Sequence, residues 1–292
     1  MNFRTDLAIE RQEYHEKKTL DGVLSSEETI DGVKITTIEI INEEGERLIG
    51  KPKGRYITLE TDKLYKSSEA FSAVSDVLCR ELRSLLPKEG TVLVAGLGNE
   101  DITPDALGPK CLGLLLATRH IGRDFAVSLG LGNLRSVAGI VPGVLGKTGI
   151  ETVEIISGVV KKISPSCVIV VDALASRNTA RLGTTVQLCD TGVSPGSGVG
   201  NRRKGINDET LGVPVIAIGV PTVVDALTMV SDILEKTQIT LPESDFAQHR
   251  QMVVTPKEID NLIDKASRLI AMGINLALQE ELTAEDIAEI VG

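Results

Sequence analysis

The chain has 292 residues, 42% of them hydrophobic and 2% aromatic, and a formal net charge of -10. Its hydrophobic content excludes a disordered chain. The acidic excess argues against a nucleic-acid partner, because phosphates would be repelled. With so few aromatic residues the core must consist of Val, Ile, Leu and Ala, which suits a parallel sheet covered by helices. Neither a signal segment nor a membrane-spanning run is evident, so we expect a cytoplasmic compartment and no membrane partner.

The first predicted elements are an N-terminal arm, a hairpin and a helix. Residues 1–31 are polar and aperiodic, which on composition indicates an arm or a removable segment. The alternating stretches 32–40 and 54–60 predict a β-hairpin with a turn at Asn42–Gly45. A helix is predicted from Ser67 or Ser68 to about Leu86.

From residue 90 onward, short apolar strands alternate with helical segments, which predicts βαβ units and one α/β domain across residues 1–292. The predicted strands are 91–96, 165–173, 184–190 and 213–221. The predicted helices are Pro104–His120, Ile150–Ile163, Thr222–Leu234 and Pro256–Gln279, the last with Thr255 as its N-cap, and an amphipathic tail at Thr283–Val291.

Two aspartates lie where ligands of open α/β sheets bind, at the carboxyl ends of predicted strands. Asp105 falls in the first turn of a predicted helix, where an isolated carboxylate usually only complements the helix dipole. Asp172 follows the apolar run CVIVV, where a carboxylate is costly unless backbone amides or another group accompany it. If the two strands are neighbours, the two acids can share a proton and activate water for attack on a peptide carbonyl.

Other candidate groups give weaker signals. For Glu100 and Asp101 we expect solvated or capping roles, and Asp225 is the most plausible exception among the remaining carboxylates. The four cysteines are dispersed, which predicts reduced, buried residues. The sequence contains no HExxH, GxGxxG or P-loop motif, and its three histidines lack ligand spacing, so neither a metal site nor a cofactor is predicted.

A glycine-rich stretch at residues 190–207 carries Arg202, Arg203 and Lys204. It can be interpreted as a plain surface loop. It can also be interpreted as a loop that binds an acidic substrate side chain through its cations and backbone amides.

Eight segments resemble the germination protease family of spore-forming bacteria, and they occur in the family's order. They are RTDLAIE (4–10), GVKITTIEI (32–40), GRYITLE (54–60), GLGNEDITPDALGP (96–109), PGVLGKTGIET (142–152), VIVVDALASR (168–177), TGVSPGSGVGNRRK (191–204) and IGVPTVVDA (218–226).

This resemblance implies an endopeptidase that initiates degradation of small acid-soluble spore proteins during germination, in the forespore or spore core. It implies a three-layer α/β/α sandwich with a mostly parallel sheet, similar to hydrogenase maturation endopeptidases, and a homo-oligomer, specifically a tetramer. The family's two catalytic aspartates match Asp105 in TPDALGP and Asp172 in VVDALASR. No cofactor is implied.

The resemblance also implies a zymogen that cleaves its own N-terminus. The family cuts after an acidic residue and before an apolar residue followed by alanine, and Asp6-Leu7-Ala8 matches that rule. We therefore expect self-cleavage at Asp6–Leu7, with residues 1–6 as a short propeptide whose means of inhibition stays open. Acidic substrate residues would pair with Arg202, Arg203, Lys204 and Arg177.

Two alternatives remain at this level. One is a metal-assisted maturation endopeptidase on the same fold, with a metal bridging Asp105 and Asp172; activity that survives chelation would exclude it. The other is a catalytically inactive protein that binds anions in the 190–207 loop. The substitution Asp172→Asn separates that alternative from a peptidase.

Overall fold

The structure is a computed structural model that describes residues 4–15, 20–61, 68–122, 133–196, 198, 200, 203–237 and 252–291. Its strands are β1 Val23–Ile30, β2 Val33–Ile40, β3 Gly54–Glu60, β4 Val92–Gly96, β5 Val137–Ile140, β6 Cys167–Ser176, β7 Thr185–Cys189, β8 Val215–Asp225 and β9 Val253–Val254. Its helices are α1 Ala8–Glu13, α2 Glu43–Ile49, α3 Ser68–Leu85, α4 Leu107–Leu112, α5 Leu145–Thr148, α6 Thr152–Ile163, α7 Asp208–Leu211, α8 Ala226–Thr237, α9 Ile259–Leu278 and α10 Ala284–Val291.

All the strands belong to one sheet, in the order β1-β2-β3-β7-β8-β6-β4-β5, with β9 paired to β8. Parallel pairing joins β8, β6, β4 and β5, whereas β1, β2, β3 and β7 pair antiparallel. The sheet thus has a parallel half and an antiparallel half. The predicted α/β class and central sheet are confirmed, but parallel pairing is confined to four strands and the N-terminal strands continue the same sheet.

Alternating side chains of the parallel strands pack against two different layers of helices, one on each face of the sheet. One face packs on α3, α4 and α9, in a cluster that includes Val94, Ile169 and Ile270. The other face packs on α6 and α7, in a cluster that includes Leu93, Val170 and Ile156. Strands that are buried on both faces explain the unbroken apolar runs in the sequence, and the arrangement is the expected α/β/α sandwich.

The N-terminal region differs most from its prediction. Residues 1–31 were expected to form an aperiodic arm, but they contain α1 and β1. The predicted pairing of 32–40 with 54–60 is confirmed, because β2 and β3 are antiparallel neighbours, and a further tight turn at Asp31–Gly32 joins β1 to β2. The expected turn at Asn42–Gly45 is instead the start of α2, because the Asn42 side chain accepts a hydrogen bond from the Gly45 N–H and caps the helix.

Several predicted boundaries shift because strands run further than their apolar cores. β6 extends to Ser176, so Asp172 lies within the strand, and β8 extends to Asp225. The helix predicted over Pro104–His120 is wrong in length: a 3₁₀ turn at Thr103–Asp105 precedes α4, which ends at Leu112.

Further predictions concern the cysteines, the start of the long helix and membrane-spanning segments. All four cysteines are buried and unpaired, as predicted. The long helix begins at Ile259, and Thr255 instead donates its hydroxyl to the Thr222 carbonyl. Within the described part of the chain, no helix combines the length and apolar character that crossing a bilayer requires.

Candidate active site

Asp172 lies at the point where β4 ends beside β6. The last parallel pair of these strands is Gly96 with Val171, and Asp172 is the next residue of β6. Its side chain accepts a 3.0 Å hydrogen bond from the Ala173 N–H, and the residue is 7% exposed. The condition set by the sequence, that the strands preceding the two aspartates be neighbours, is therefore met.

Asp105 reaches the same place from the loop that follows β4. Its carboxylate accepts a 2.8 Å hydrogen bond from the Asn99 N–H, which folds the loop back on itself. Gly98 permits this fold: its φ is +110°, and a Cβ there would lie 1.9 Å from the Asp105 carbonyl oxygen. Asp105 and Asp172 both line one cleft of about 440 Å³.

The two carboxyl groups differ in environment. Burial raises the pKa of Asp105, and the hydrogen bond from Asn99 opposes that rise. Burial raises the pKa of Asp172 further, and the charges of Asp105 and then of Asp6 add to the effect. The charge of Asp105 therefore opposes ionisation of Asp172, the more deeply buried of the two groups.

The N-terminal arm, which we define as residues 4–10, lies across this cleft. The Asp6 N–H donates to the Ala175 carbonyl at 2.8 Å, and the Ala175 N–H donates to the Asp6 carboxylate at 2.9 Å. Asp6 thus pairs with the end of β6 three residues beyond Asp172. It lines the cleft together with both aspartates.

Glu10 fixes the arm on its C-terminal side. This buried carboxylate accepts hydrogen bonds from the backbone N–H groups of Arg177 (2.6 Å) and Asn178 (2.9 Å), just after β6. It also pairs with Arg181 at 3.4 Å and accepts a hydrogen bond from the Thr5 hydroxyl. The arm is therefore held on both sides of the Asp6–Leu7 bond.

The side chains after that bond enter an apolar site. Leu7 and Ala8 are fully buried. They belong to a cluster formed mainly by the antiparallel half of the sheet, with Ile9, Leu20, Val23, Ile38, Ile40, Ile49, Tyr56, Leu174, Cys189 and Ala217. Sequence reasoning did not identify the residues of this cluster.

The glycine-rich loop forms one wall of the cleft. Pro195, Gly196 and Arg203 line it. Gly198 lies against the Asp6 carboxylate, so close that a Cβ there would fall 2.2 Å from Oδ2. The Asp6 side chain is therefore enclosed by the loop and by the Ala175 backbone.

The other predicted cations are placed differently. Lys204 is exposed, and Arg202 lies outside the described residues. The Arg177 guanidinium lies over the Tyr14 ring, 5.2 Å from its centroid, and the Arg177 backbone N–H donates to Glu10. Sequence reasoning did not identify Arg11, whose guanidinium interacts electrostatically with the carboxylates of Asp6 and Glu10.

The remaining carboxylates have structural partners or face solvent. Buried Asp225 caps α8 through the Thr228 N–H at 3.0 Å, and it pairs with Arg4 of the arm at 3.1 Å. Glu100 is exposed, and Asp101 is an exposed partner of Lys147. Among the described residues no group of three or more His, Cys, Asp or Glu side chains is arranged to hold a metal ion.

The fold and site define an α/β protein with two coupled carboxyl groups at the carboxyl end of a parallel sheet, and with a peptide segment lying across them. Comparison with known proteins is more specific. Residues 4–242 match the family model described as germination protease, so the chain belongs to the germination protease family and is a peptidase.

Individual relatives agree along the whole chain. The germination protease of Caldanaerobacter subterraneus subsp. tengcongensis is 44% identical over 100% of this chain and 98% of its own. That of Clostridium perfringens is 42% identical over 98% of each chain, and that of Priestia megaterium is 38% identical over 97% of this chain and 95% of its own. Among solved structures, the [NiFe] hydrogenase maturation protease HycI from Thermococcus kodakarensis covers 66% of this chain and 98% of its own, with 15% identity and a TM-score of 0.37.

Proposed function

We propose that the protein is an endopeptidase zymogen that removes residues 1–6 by cutting its own Asp6–Leu7 bond. We further propose that it then degrades small acid-soluble spore proteins at acidic–apolar–Ala sites, in the spore core during germination. The observation that carries the proposal is the position of Asp6. This residue lies in the cleft lined by Asp105 and Asp172, hydrogen-bonded to β6.

The aspartate pair supplies the chemistry. Ionised Asp105 takes a proton from a water molecule, whose oxygen attacks the carbonyl carbon of the residue before the cut. The electrons of the C=O double bond move to its oxygen. As the tetrahedral intermediate collapses, the C–N bond breaks and Asp172 donates its proton to the leaving nitrogen. Proton exchange with solvent restores the pair. Burial raises both pKa values, and that of Asp172 is raised further, which supports this division of roles.

Specificity follows from the two sides of the cut. On the acidic side, the Ala175 N–H and the charge of Arg11 favour a carboxylate, and Gly198 leaves room for it. On the other side, the apolar cluster around Leu7 and Ala8 favours a leucine-like residue followed by a small one. Arg203, which lines the cleft, is the predicted cation placed best to meet further acidic residues.

Inhibition by a short propeptide also has a physical basis. The arm occupies the cleft, and the positions of residues 7–10 must be vacated before a second chain can use them. We propose that occupancy, rather than propeptide length, keeps the zymogen inactive. The homotetramer implied by the family resemblance is part of the same proposal, and light scattering of purified protein tests it.

Self-cleavage is the primary test. The intact mass of the full chain is followed under mildly acidic conditions at several protein concentrations. Loss of residues 1–6 with a rate independent of concentration is expected, because the arm lies in its own cleft. An N-terminus that stays intact while the protein cuts acidic–Leu–Ala peptides would contradict the zymogen proposal. A protein that cuts neither would contradict the proposed function as a whole.

A further inference from the structure

We propose that Gln187 and Lys51 bind the carbonyl oxygen of the bond that is cut and stabilise the negative charge that develops on it. This inference rests on the proposed function, because it takes Asp6–Leu7 as the scissile bond. It assigns a role to Gln187 in β7 and to Lys51 before β3, neither of which was a candidate from the sequence.

Two donors converge on one backbone oxygen. The Asp6 carbonyl accepts a hydrogen bond from Lys51 Nζ at 2.8 Å and another from Gln187 Nε2 at 3.1 Å. Lys51 lies just after α2 in the connection to β3, and Gln187 lies in β7. A buried backbone carbonyl needs only one partner to be satisfied. Two side-chain donors from separate elements, one of them charged, exceed that requirement.

Gln187 makes a second contact across the same bond. Its Oε1 accepts a 2.8 Å hydrogen bond from the Ala8 N–H. One amide side chain therefore holds the carbonyl before the Asp6–Leu7 bond and the N–H of the second residue after it. Backbone groups are common to all peptides, so this contact fixes where the chain lies along the cleft. Selectivity for particular peptide sequences then depends on the pockets that receive the side chains.

The location of these donors suits catalysis. Asp6 and Asp172 line both the main cleft and a neighbouring cavity of about 320 Å³, which Lys51 and Gln187 also line. Asp172 therefore lines the same cavity as Asp6 and the two donors, and Asp105 lines the main cleft together with Asp6 and Asp172. When water adds, the carbonyl oxygen changes from a partial to a full negative charge. A fixed ammonium and amide N–H at that oxygen interact more strongly with the transition state than with the intact peptide.

The competing explanation is that both residues only anchor the arm. The two explanations differ in what the residues do to a bound arm. If the two residues only anchor the arm, their loss slows cleavage only by lowering the fraction of chains whose arm lies in the cleft. A charge-stabilising group changes the rate of cleavage while the arm stays bound.

The experiment compares single-turnover self-cleavage of full-length variants by intact mass. Lys51→Met removes the ammonium at similar length. Gln187→Glu keeps an acceptor for the Ala8 N–H and removes the donor to the Asp6 carbonyl. Each is expected to slow cleavage by about 100-fold or more, the usual effect of losing one oxyanion donor. Lys51→Arg, which keeps a cation, should recover part of the rate. Lys53→Met, on an exposed residue two positions away, should cleave like the unchanged chain.

Hydrogen exchange of the Asp6 amide, which is bonded to the Ala175 carbonyl, reports arm occupancy in the same samples. Slow cleavage with retained protection supports the proposal. Wild-type cleavage rates in both variants, or a loss of rate that matches a loss of protection, would overturn it while leaving the proposed function intact. An unchanged chain that is never cut at Asp6–Leu7 would overturn both.

Discussion

The two halves of the sheet contribute different groups to the Asp6–Leu7 bond. The parallel half carries Asp105 and Asp172, the groups that can exchange protons. The antiparallel half carries Gln187, and beside it Lys51, the groups that bind the carbonyl oxygen. It also holds the apolar cluster that receives Leu7. The bond lies where β6 and β8 of one half meet β7 of the other.

Because these groups lie on different halves of the sheet, the acids and the groups that hold the peptide can be altered separately. Parallel strands end together at one edge, which brings loop carboxylates close to one another. Antiparallel strands beside them offer side chains along a surface, which suits contacts to an extended peptide. Substitution of the acids in the parallel half should therefore stop proton transfer. Substitution of residues that contact the arm should change how tightly, and in which position, the peptide is bound.

The largest effect is expected for the acids of the parallel half. Asp172→Asn keeps the acceptor for the Ala173 N–H but cannot donate the proton, so self-cleavage should slow by about 1,000-fold. Asp105→Asn should slow it to a similar extent, because the base is lost. Intact mass spectrometry measures both rates. Cleavage of Asp172→Asn at the unchanged rate would remove the aspartate pair from the mechanism.

A smaller effect is expected where the loop encloses the acidic side chain. In Gly198→Ala the new Cβ would lie 2.2 Å from Asp6 Oδ2, so the arm must shift. A displacement of this kind should slow cleavage by about 100-fold. Gly158→Ala is the matched control, because a Cβ there meets nothing within 4 Å. Equal rates for the two variants would show that the loop does not define the acidic site.

The raised pKa of Asp172 predicts an effect of pH on stability. The folded chain keeps this proton at pH values where the unfolded chain, with an ordinary aspartate pKa of about 3.9, has released it. Stability therefore falls as pH rises from about 4 through the folded pKa of Asp172. Asp172→Asn lacks this loss, so its advantage in the free energy of unfolding should be largest near neutral pH. Urea denaturation across that range measures it. A constant difference would contradict the raised pKa.

The smallest effect concerns the ion pair between the arm and buried Asp225. Arg4→Ala removes the partner of Asp225 but leaves the hydrogen bonds that cap α8. Because Arg4 is partly exposed, we expect a loss of only about 1 kcal/mol, or about 2 °C in Tm. Differential scanning calorimetry before and after self-cleavage provides the control. The difference should vanish once residues 1–6 have left.

Much of the parallel half was predictable from sequence. Strands buried on both faces leave apolar runs such as CVIVV, and the aspartates after them were identified from their position at strand ends. The exact relation of Asp172 to its strand was not predictable, because β6 continues through DALAS, where the apolar pattern weakens. Asp105 was placed in an α-helical turn that is in fact a 3₁₀ turn held by Asn99.

The antiparallel half and the arm were harder to predict. The six-residue α1 is too short to show a helical period, and its stability comes from tertiary burial of Leu7 and Ala8. Gln187 did carry a usable signal, since a polar residue in the buried strand TVQLC needs a hydrogen-bond partner. Lys51 carried none. The role proposed for Lys51 depends on its contact with Asp6, 45 positions away.

The shared proton is tested most directly by carbon-13 NMR titration of the Asp172 carboxyl group. The full-length chain and its Asp105→Asn variant are labelled at aspartate and titrated in parallel. If the two groups are coupled, Asp172 titrates well above the ordinary aspartate range in the unchanged chain, and its pKa falls when the charge of Asp105 is removed. An Asp172 that titrates at the same pH in both proteins would contradict the account.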